Sequence, residues 1–315
     1  MILGLDIGGA NTKAASSDGS LAQSIYMPLW KNAPLGEVLE RYAELEPEAV
    51  AAVITGELAD CFSSKSEGIE SIGSAVRKAF HCPVHFWGVG GFGSKELAGA
   101  NWSASATLLA REIGDSFFVD MGSTTTDLIP IIGEPVAAHT DLQRLAKGEL
   151  IYMGMLRTNL GALLPEARIC GETVPLSPEL FAIAADVRLV LGDITAEGYT
   201  CDTPDSAQKG REAALRRLAR AVCADLEEIG ERGALAIARQ VRERQHSILV
   251  DALERQAKRH GISRVIAAGI GEEIILGAAS FLGMDCILLS EKYGRKISEI
   301  FPAYAAARLL AASHH

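Results

Sequence analysis

Two short stretches of this chain carry the residue types that phosphate chemistry needs. The first is Leu5-Asp6-Ile7-Gly8-Gly9-Ala10-Asn11-Thr12-Lys13, and the second is Val119-Asp120-Met121-Gly122-Ser123-Thr124-Thr125-Thr126-Asp127. Laid on each other, they align Asp6 with Asp120, Gly8 with Gly122 and Thr12 with Thr126. Glycine lets backbone N–H groups approach phosphate oxygens closely. The hydroxyls of Ser123, Thr124 and Thr125 add donors. Asp6 and Asp120 are candidate catalytic residues that can hold Mg²⁺, directly or through water, and so neutralise phosphate charge. The candidate phosphate ligands are Gly8, Gly9, Asn11, Thr12, Lys13, Gly122, Ser123, Thr124 and Thr125. Lys13 either adds a cation to the phosphate or is a solvated strand residue. One Asp-x-Gly turn alone is common hairpin chemistry. An internal repeat of the whole pattern, one copy in each half, argues for a shared function.

A third element, Ala267-Ala268-Gly269-Ile270-Gly271-Glu272, reads as strand, glycine turn and helix start. Such a turn can take an anion or let a nucleotide lie on the backbone, which makes Gly269, Gly271 and Glu272 candidate substrate or nucleotide residues. Glu57 and Asp60 follow an apolar strand and are candidates for base or metal contact, with helix capping as the plainer role for Glu57. Arg157 can hold an anionic group in its planar fork, or brace the lobes in an ion pair. Asn101 and Trp102 open a helix and can wall a pocket, although a buried Trp is commonly core. Asp202 and Asp205 read as turn residues. The glycine run 88–93 imitates a dinucleotide fingerprint, yet no βαβ unit with a ribose-binding acid follows, so it reads as a hinge or crossing turn between lobes. His81, Cys82 and His85 lack the partner ligands of a metal site and suit a strand entry.

The elements around these residues alternate. Strands are expected at 2–7, 21–30, 50–55 and 84–87, with helices at 34–45 and 69–80. A second lobe begins near 114, with strands at 116–120 and 126–132. Helices follow at 178–191, 207–228 and 233–260, then a strand at 264–268, a helix at 272–282, a strand at 286–290 and an Ala-rich helix at 302–312. Alternation of this kind argues for α/β lobes. The 315 residues include 48% hydrophobic residues, 31 glycines and 11 prolines, a composition for packed cores, and at ~100–200 residues per domain they divide into about two. The formal net charge of −10 disfavours nucleic acid and anionic membrane surfaces as partners and leaves a small phosphorylated substrate open. Six scattered cysteines without a CxxC pair point to reduced thiols in the cytoplasm. No signal peptide is read at the N-terminus, and the longest apolar stretch, 265–289, is interrupted by Glu272, Glu273 and Asp285, so no span is expected. The final His314 and His315 are native or the remnant of a tag.

The two Asp loops and the later glycine turn, in this order, resemble the superfamily of actin, the heat-shock 70 ATPase domain and the sugar kinases. That resemblance implies an α/β chain of two ribonuclease-H-like lobes with a cleft between them. One lobe is expected at 1–100 plus a closing helix at 301–315. The other is expected at 101–300, with a helical insertion near 165–260. Within the superfamily the chain resembles the hydantoinase/oxoprolinase group. Thr55-Gly56-Glu57-Leu58-Ala59-Asp60, Ala100-Asn101-Trp102-Ser103-Ala104, Tyr152-Met153-Gly154-Met155-Leu156-Arg157-Thr158-Asn159 and Gly198-Tyr199-Thr200-Cys201-Asp202-Thr203 carry the likeness beyond the two loops. More narrowly it is similar to a branch serving methanofuran and methylofuran biosynthesis in methanogens and methylotrophs. The reaction implied joins an aminomethylfuran-methyl diphosphate to the phenol of tyramine or glutamyl-tyramine, forming an ether and releasing diphosphate. Mg²⁺ is the implied cofactor, ATP is not required, and Arg157 is the implied partner of a glutamyl carboxylate. Two other classes stand beside it: an ATP-dependent kinase or hydrolase of the same fold, and a non-catalytic actin-like ATP-binding or assembly protein, with oligomeric state open.

Overall fold

A computed structural model describes residues 1–313. The first lobe runs β1 (Ile2–Gly8), β2 (Asn11–Ser16), β3 (Ala22–Tyr26), a 3₁₀ turn (Leu29–Lys31), α1 (Leu35–Ala43), β4 (Ala49–Thr55), α2 (Lys65–Ala79), β5 (Val84–Gly88) and β6 (Gly91–Phe92). The chain then forms α3 (Asn101–Glu112), β7 (Ser116–Met121), β8 (Thr126–Ile132), β9 (Glu134–Pro135), α4 (Asp141–Lys147), β10 (Leu150–Ile151) and α5 (Leu160–Leu163). Next come β11 (Glu166–Ile169), β12 (Glu172–Pro175), α6 (Ala184–Leu191), α7 (Arg211–Arg220) and α8 (Leu226–His260), which breaks at Gly230. The chain finishes with β13 (Arg264–Ala268), α9 (Glu272–Phe281), β14 (Asp285–Leu288), α10 (Leu289–Tyr293), α11 (Arg295–Glu299) and α12 (Phe301–Ser313).

The sheet orders are β3-β2-β1-β4-β5-β6 and β10-β8-β7-β13-β14. In each, an antiparallel three-stranded meander continues into two parallel strands, so the sequence repeat is also a topological repeat. The register sets Asp6 opposite Lys13 and Asp120 opposite Asp127. Both aspartates therefore stand at the carboxyl ends of central strands, where ligands of open α/β sheets collect. Apart from these aspartates the strands are largely apolar, because both faces are covered.

Helices α3 and α12 fill the space between the sheets. Ala15, Ala49, Ala51 and Val53 of one sheet and Phe118, Ile129, Ile131 and Ile266 of the other share one core with Leu108, Leu109, Phe301 and Leu309. The alanines of α12 permit a close approach. A methyl group on Gly4 would lie 1.8 Å from the Ala303 carbonyl oxygen. Gly4→Ala is therefore expected to force β1 and α12 apart and to lower stability by about 3 kcal/mol, read as a lower urea midpoint with an unchanged slope. Separate cores lie outside: β1, β4, α1 and α2 in the first lobe, and the second sheet with α6 to α9 in the other.

Several expected elements are corrected. The strand expected at 21–30 stops at Tyr26 and tightens into the turn at Leu29–Lys31. The helix expected from 178 begins at Ala184, and the one expected at 207–228 covers Arg211–Arg220. The insertion is not wholly helical, since β11 and β12 form a hairpin closed by Cys170 and Gly171 at positive φ. The glycine run 88–93 closes the β5–β6 hairpin, with Trp87 edge-on to Phe92 at 4.9 Å, and precedes no helix start. The closing helix packs on β1, β2, β4 and α3. His314 and His315 lie outside the described residues. Among the described residues no helix is long and apolar enough to cross a membrane.

Candidate active site

The two repeats face each other across a cleft of about 1020 Å³. Asp6 and Asp120 are 3% and 7% exposed at its floor, beside the equally buried Asp127. Thr55 Oγ1 donates to Asp6 Oδ1 at 2.8 Å, and Lys13 Nζ lies 3.8 Å from Asp6 Oδ2. Burial raises the Asp6 carboxyl above its ordinary value, while Lys13 and Thr55 oppose that rise and Asp127 adds to it. Asp120 is pushed up to about 7, chiefly by burial, against the pull of Lys13 and with the added repulsion of Asp127, Asp6 and Glu272. Asp127 is raised by burial against the pull of Arg144. Arg144, 3% exposed, reaches Asp127 at 2.5 Å and Asp141 at 2.8 Å.

Three buried carboxylates with one lysine make an oxygen-rich, charge-deficient floor. Among the described residues, no group of three or more acidic, His or Cys side chains is close enough to bind a metal directly. Such a floor fits an ion that keeps most of its water shell, as Mg²⁺ does.

The loops are fixed from behind. A side chain on Gly56 would meet the Gly8 carbonyl carbon at 2.9 Å and the Gly9 nitrogen at 3.0 Å. Gly9 and Ala10 carbonyls accept from Leu29 and Met27 N–H at 2.8 Å each. In the second loop, Gly122 N–H donates to Thr125 O at 3.0 Å. Met155 N–H donates to Gly122 O, and Leu156 and Arg157 N–H both donate to Ser123 O. Gly154 is backed so tightly that a Cβ would sit 2.5 Å from Thr124 N. Gln245 Nε2 holds the Gly154 carbonyl at 3.1 Å, and the buried Arg188 holds Gln245 Oε1 at 2.6 Å. Asn11 Nδ2 donates to Ser123 Oγ at 3.4 Å, which ties one loop to the other across the cleft.

Most of the residues singled out in the sequence lie on the cleft wall: Asp6, Gly8, Gly9, Asn11, Lys13, Glu57, Asp60, Asn101, Asp120, Gly122, Ser123, Thr124, Thr125 and Arg157. Thr12 does not, being fully buried on the other face of β2. Trp102 is 2% exposed and lies under the Arg144 guanidinium at 5.1 Å, so the helix carries Asn101 to the cleft and turns its neighbour into the core. Gly269, Gly271 and Glu272 stand just behind the cleft wall, to which the turn contributes Ile270. Gly269, at φ 84°, sits where a Cβ would lie 2.4 Å from Asp120 Oδ1. Gly271 packs against Met121, and Glu272 accepts from Ser290 N–H at 2.9 Å and from the Ser298 hydroxyl. Arg157 stacks 4.6 Å over Trp30 and donates to Thr124 Oγ1 at 3.3 Å, at the second Asp loop itself. Glu57 is 2% exposed, with Oε2 unpartnered and its carboxyl raised chiefly by burial.

Asp127, Asp141 and Arg144 join the site without a motif of their own in the sequence. Asp127 occupies the place of Lys13 in the repeat, and that opposition of charge was the available signal. Asp202 is more than a turn residue, because it accepts from Tyr26 OH at 2.6 Å and Lys31 Nζ at 2.9 Å in the first lobe. Tyr26 is pushed up to about 12 by burial and by Asp202. Asp205 accepts from Ala207 N–H at 3.1 Å as a turn residue does, and it also pairs with Arg217 and Arg220.

The hydantoinase/oxoprolinase family profile matches residues 48–313. A (4-{4-[2-(gamma-L-glutamylamino)ethyl]phenoxymethyl}furan-2-yl)methanamine synthase of Methanocaldococcus jannaschii is 41% identical, with 98% of this chain and 97% of that protein covered. The synthase of the same name from Methanococcus vannielii is 35% identical over 61% of this chain and 89% of its own length. A ROK family glucokinase from Streptomyces griseus, solved with glucose and AMPPNP, shares the fold with a TM-score of 0.52, at 14% identity and with 98% of each chain covered. The fold is α/β, with two sheets arranged as in actin-like ATPases and sugar kinases. On a profile match over most of its length and a relative 41% identical over 98% of it, this chain belongs to the hydantoinase/oxoprolinase family.

Proposed function

We propose that this chain is a transferase that joins an aminomethylfuran-methyl diphosphate to the phenol of a tyramine-type acceptor, glutamyl-tyramine above all. The observation that carries this reading is the 41% identity across 98% of the chain to a synthase whose named product contains a phenoxymethyl ether on a furan methanamine. The cleft supports it, since glycine-rich and hydroxyl-bearing loops that can donate to a phosphate chain flank carboxylates that can take a hydrated cation.

The bond that breaks joins the furylmethyl carbon to a diphosphate oxygen, and the bond that forms joins that carbon to the phenol oxygen. Diphosphate leaves with the electron pair, and the phenol proton goes to a cleft carboxylate. The furan ring delocalises positive charge from the reacting carbon, which suits a dissociative step. Gly8, Gly9, Asn11, Lys13, Ser123, Thr124 and Thr125 would hold the diphosphate, and Arg157 would meet its outer end, since it lies against Thr124. These donors act where negative charge develops. Mg²⁺ held by Asp6 and Asp120 through water would neutralise part of that charge. Free thiols, of which Cys61, Cys170 and Cys223 are exposed, suit the reducing cytoplasm.

The test is mass spectrometry of the product from the furan diphosphate plus tyramine or glutamyl-tyramine, with diphosphate release measured in parallel. An ether with at least one acceptor is expected; its absence with both would end this reading. Titration with Mg-ATP separates the kinase alternative, for which tight binding with hydrolysis is required.

A further inference from the structure

Beside the phosphate cradle the cleft wall turns acidic. Glu57, Asp60, Asp127 and Asp141 all line it, with Arg144 as the neighbouring cation. Arg144 is already engaged by Asp127 and Asp141. The Glu57 carboxyl feels the Asp141 charge, with Lys65 as a weaker attraction, while the Gly99 N–H beside it is spent on the Ile54 carbonyl at 3.0 Å. Its second oxygen, Oε2, is buried without a partner. The backbone that carries Glu57 is fixed by close packing. Gly68 of α2 packs so closely beneath it that a Cβ there would lie 2.4 Å from the Glu57 carbonyl oxygen. On the opposite side, Gly99 adopts φ 58° and carries no side chain, and a Cβ there would lie 3.0 Å from Asp141 Oδ1.

Two carboxylates therefore face a gap that a glycine keeps open, one of them with a buried oxygen lacking a donor. A buried acceptor left unpaired is costly, and a charged donor relieves both the vacancy and the repulsion. An alkylammonium suits this gap, because its compact charge carries three donors.

We propose that Glu57 and Asp141 form an alkylammonium subsite that binds the amine of a substrate and so sets its reacting group over the phosphate cradle. This rests on the transferase reading in one respect, which is that the donor and the acceptor of that reaction both carry amines. The cleft is then polarised in the same sense as a substrate with diphosphate at one end and ammonium at the other. Glu57 acts here as a specificity residue for charge at the far end of the substrate.

The test uses the full chain and Glu57→Gln, with Asp141→Asn as a second variant should the first fail to fold. Each is titrated calorimetrically with furfurylamine and with tyramine in the presence of Mg²⁺ and diphosphate. Each is also assayed with substrates lacking the amine, furfuryl diphosphate in place of the donor or p-cresol in place of tyramine as the acceptor. One amine is expected to bind the unaltered protein, and Glu57→Gln to weaken it by roughly tenfold to a hundredfold. Removing the amine from that substrate should raise KM by a similar factor in the unaltered enzyme and leave KM of the variant the same for both substrates. The substrate that shows this coupling, donor or acceptor, is the occupant. Equal binding of both amines with and without the Glu57 carboxylate overturns the proposal. So does a loss of kcat that is the same with and without the amine, which is the behaviour of a general base. If the unaltered enzyme forms no ether, the transferase reading fails, and the titrations still decide the subsite.

Discussion

Asp120→Asn is expected to lower kcat at least about a hundredfold while raising the thermal midpoint of the metal-free protein at pH 8 by several degrees. Both effects have one cause. Asp120 is 7% exposed and faces Asp6 and Asp127 with Lys13 as the nearest counter-charge. Its folded value of about 7 stands above the unfolded 3.8. A carboxyl raised in the folded state opposes folding once it ionises. The penalty is absent below about pH 4, grows between 4 and 7, and is complete above 7. At roughly 1.4 kcal/mol per pH unit, the separation between 3.8 and about 7 is worth at most about 4 kcal/mol. The amide carries no such penalty, so the variant gains at pH 8 and matches the unaltered protein near pH 4. Thermal melts across that range in EDTA read the effect directly. Mg²⁺ should then raise the midpoint of the unaltered protein and move the variant far less, because an ion that binds only the folded state stabilises it by mass action. A variant less stable at pH 8, or equally responsive to Mg²⁺, would contradict the placement of the ion at this carboxylate.

The part of this site that could be read from sequence is the part that lies within single stretches. Each Asp loop contains its aspartate, its glycines and its hydroxyls in nine residues, and the repeat of the pattern implied the repeat of topology. Short-range patterns also located α3, α9 and α12 closely. What was missed depends on distant contacts. Arg144 joins the floor because α4 packs beside β10, which pairs with β8 and so brings Asp127 within 2.5 Å. Nothing in residues 141–147 announces that partner. The glycines at 269 and 271 illustrate a different limit. Glycine needed for a ligand and glycine needed for close packing leave the same letter in a sequence, and Asp120 Oδ1 and Met121 leave no room for a side chain at either position whichever role applies. Arg157 and Trp30, far apart in the chain, meet only because the first lobe's turn at Leu29–Lys31 reaches over the cleft.

Arg144→Met should destabilise the protein by about 3–5 kcal/mol, the range for removing one partner of a buried ion pair. The arginine is 3% exposed, and its loss would leave Asp127 and Asp141 without their counter-charge. Methionine keeps much of the packing on Trp102, so the change isolates charge from volume. Urea unfolding at pH 8 measures the loss, and acid should shrink it, because protonated carboxyls no longer need the cation. Adding Asp127→Asn to Arg144→Met should recover a large part of the stability, whereas independent sites would give additive losses. The double variant should nonetheless stay poorly active. Asp127 repels Asp6 and Asp120 and so contributes to their raised values. With Asp127 neutral, Asp120 ionises at lower pH, but the floor loses one of the three carboxylates that make it attractive to a hydrated cation. Stability and activity thus separate at this arginine: it makes an acidic floor tolerable to the fold, while the carboxylates it serves carry the proposed chemistry. A double variant with full activity would show that the Asp127 charge contributes nothing to the chemistry at Asp6 and Asp120.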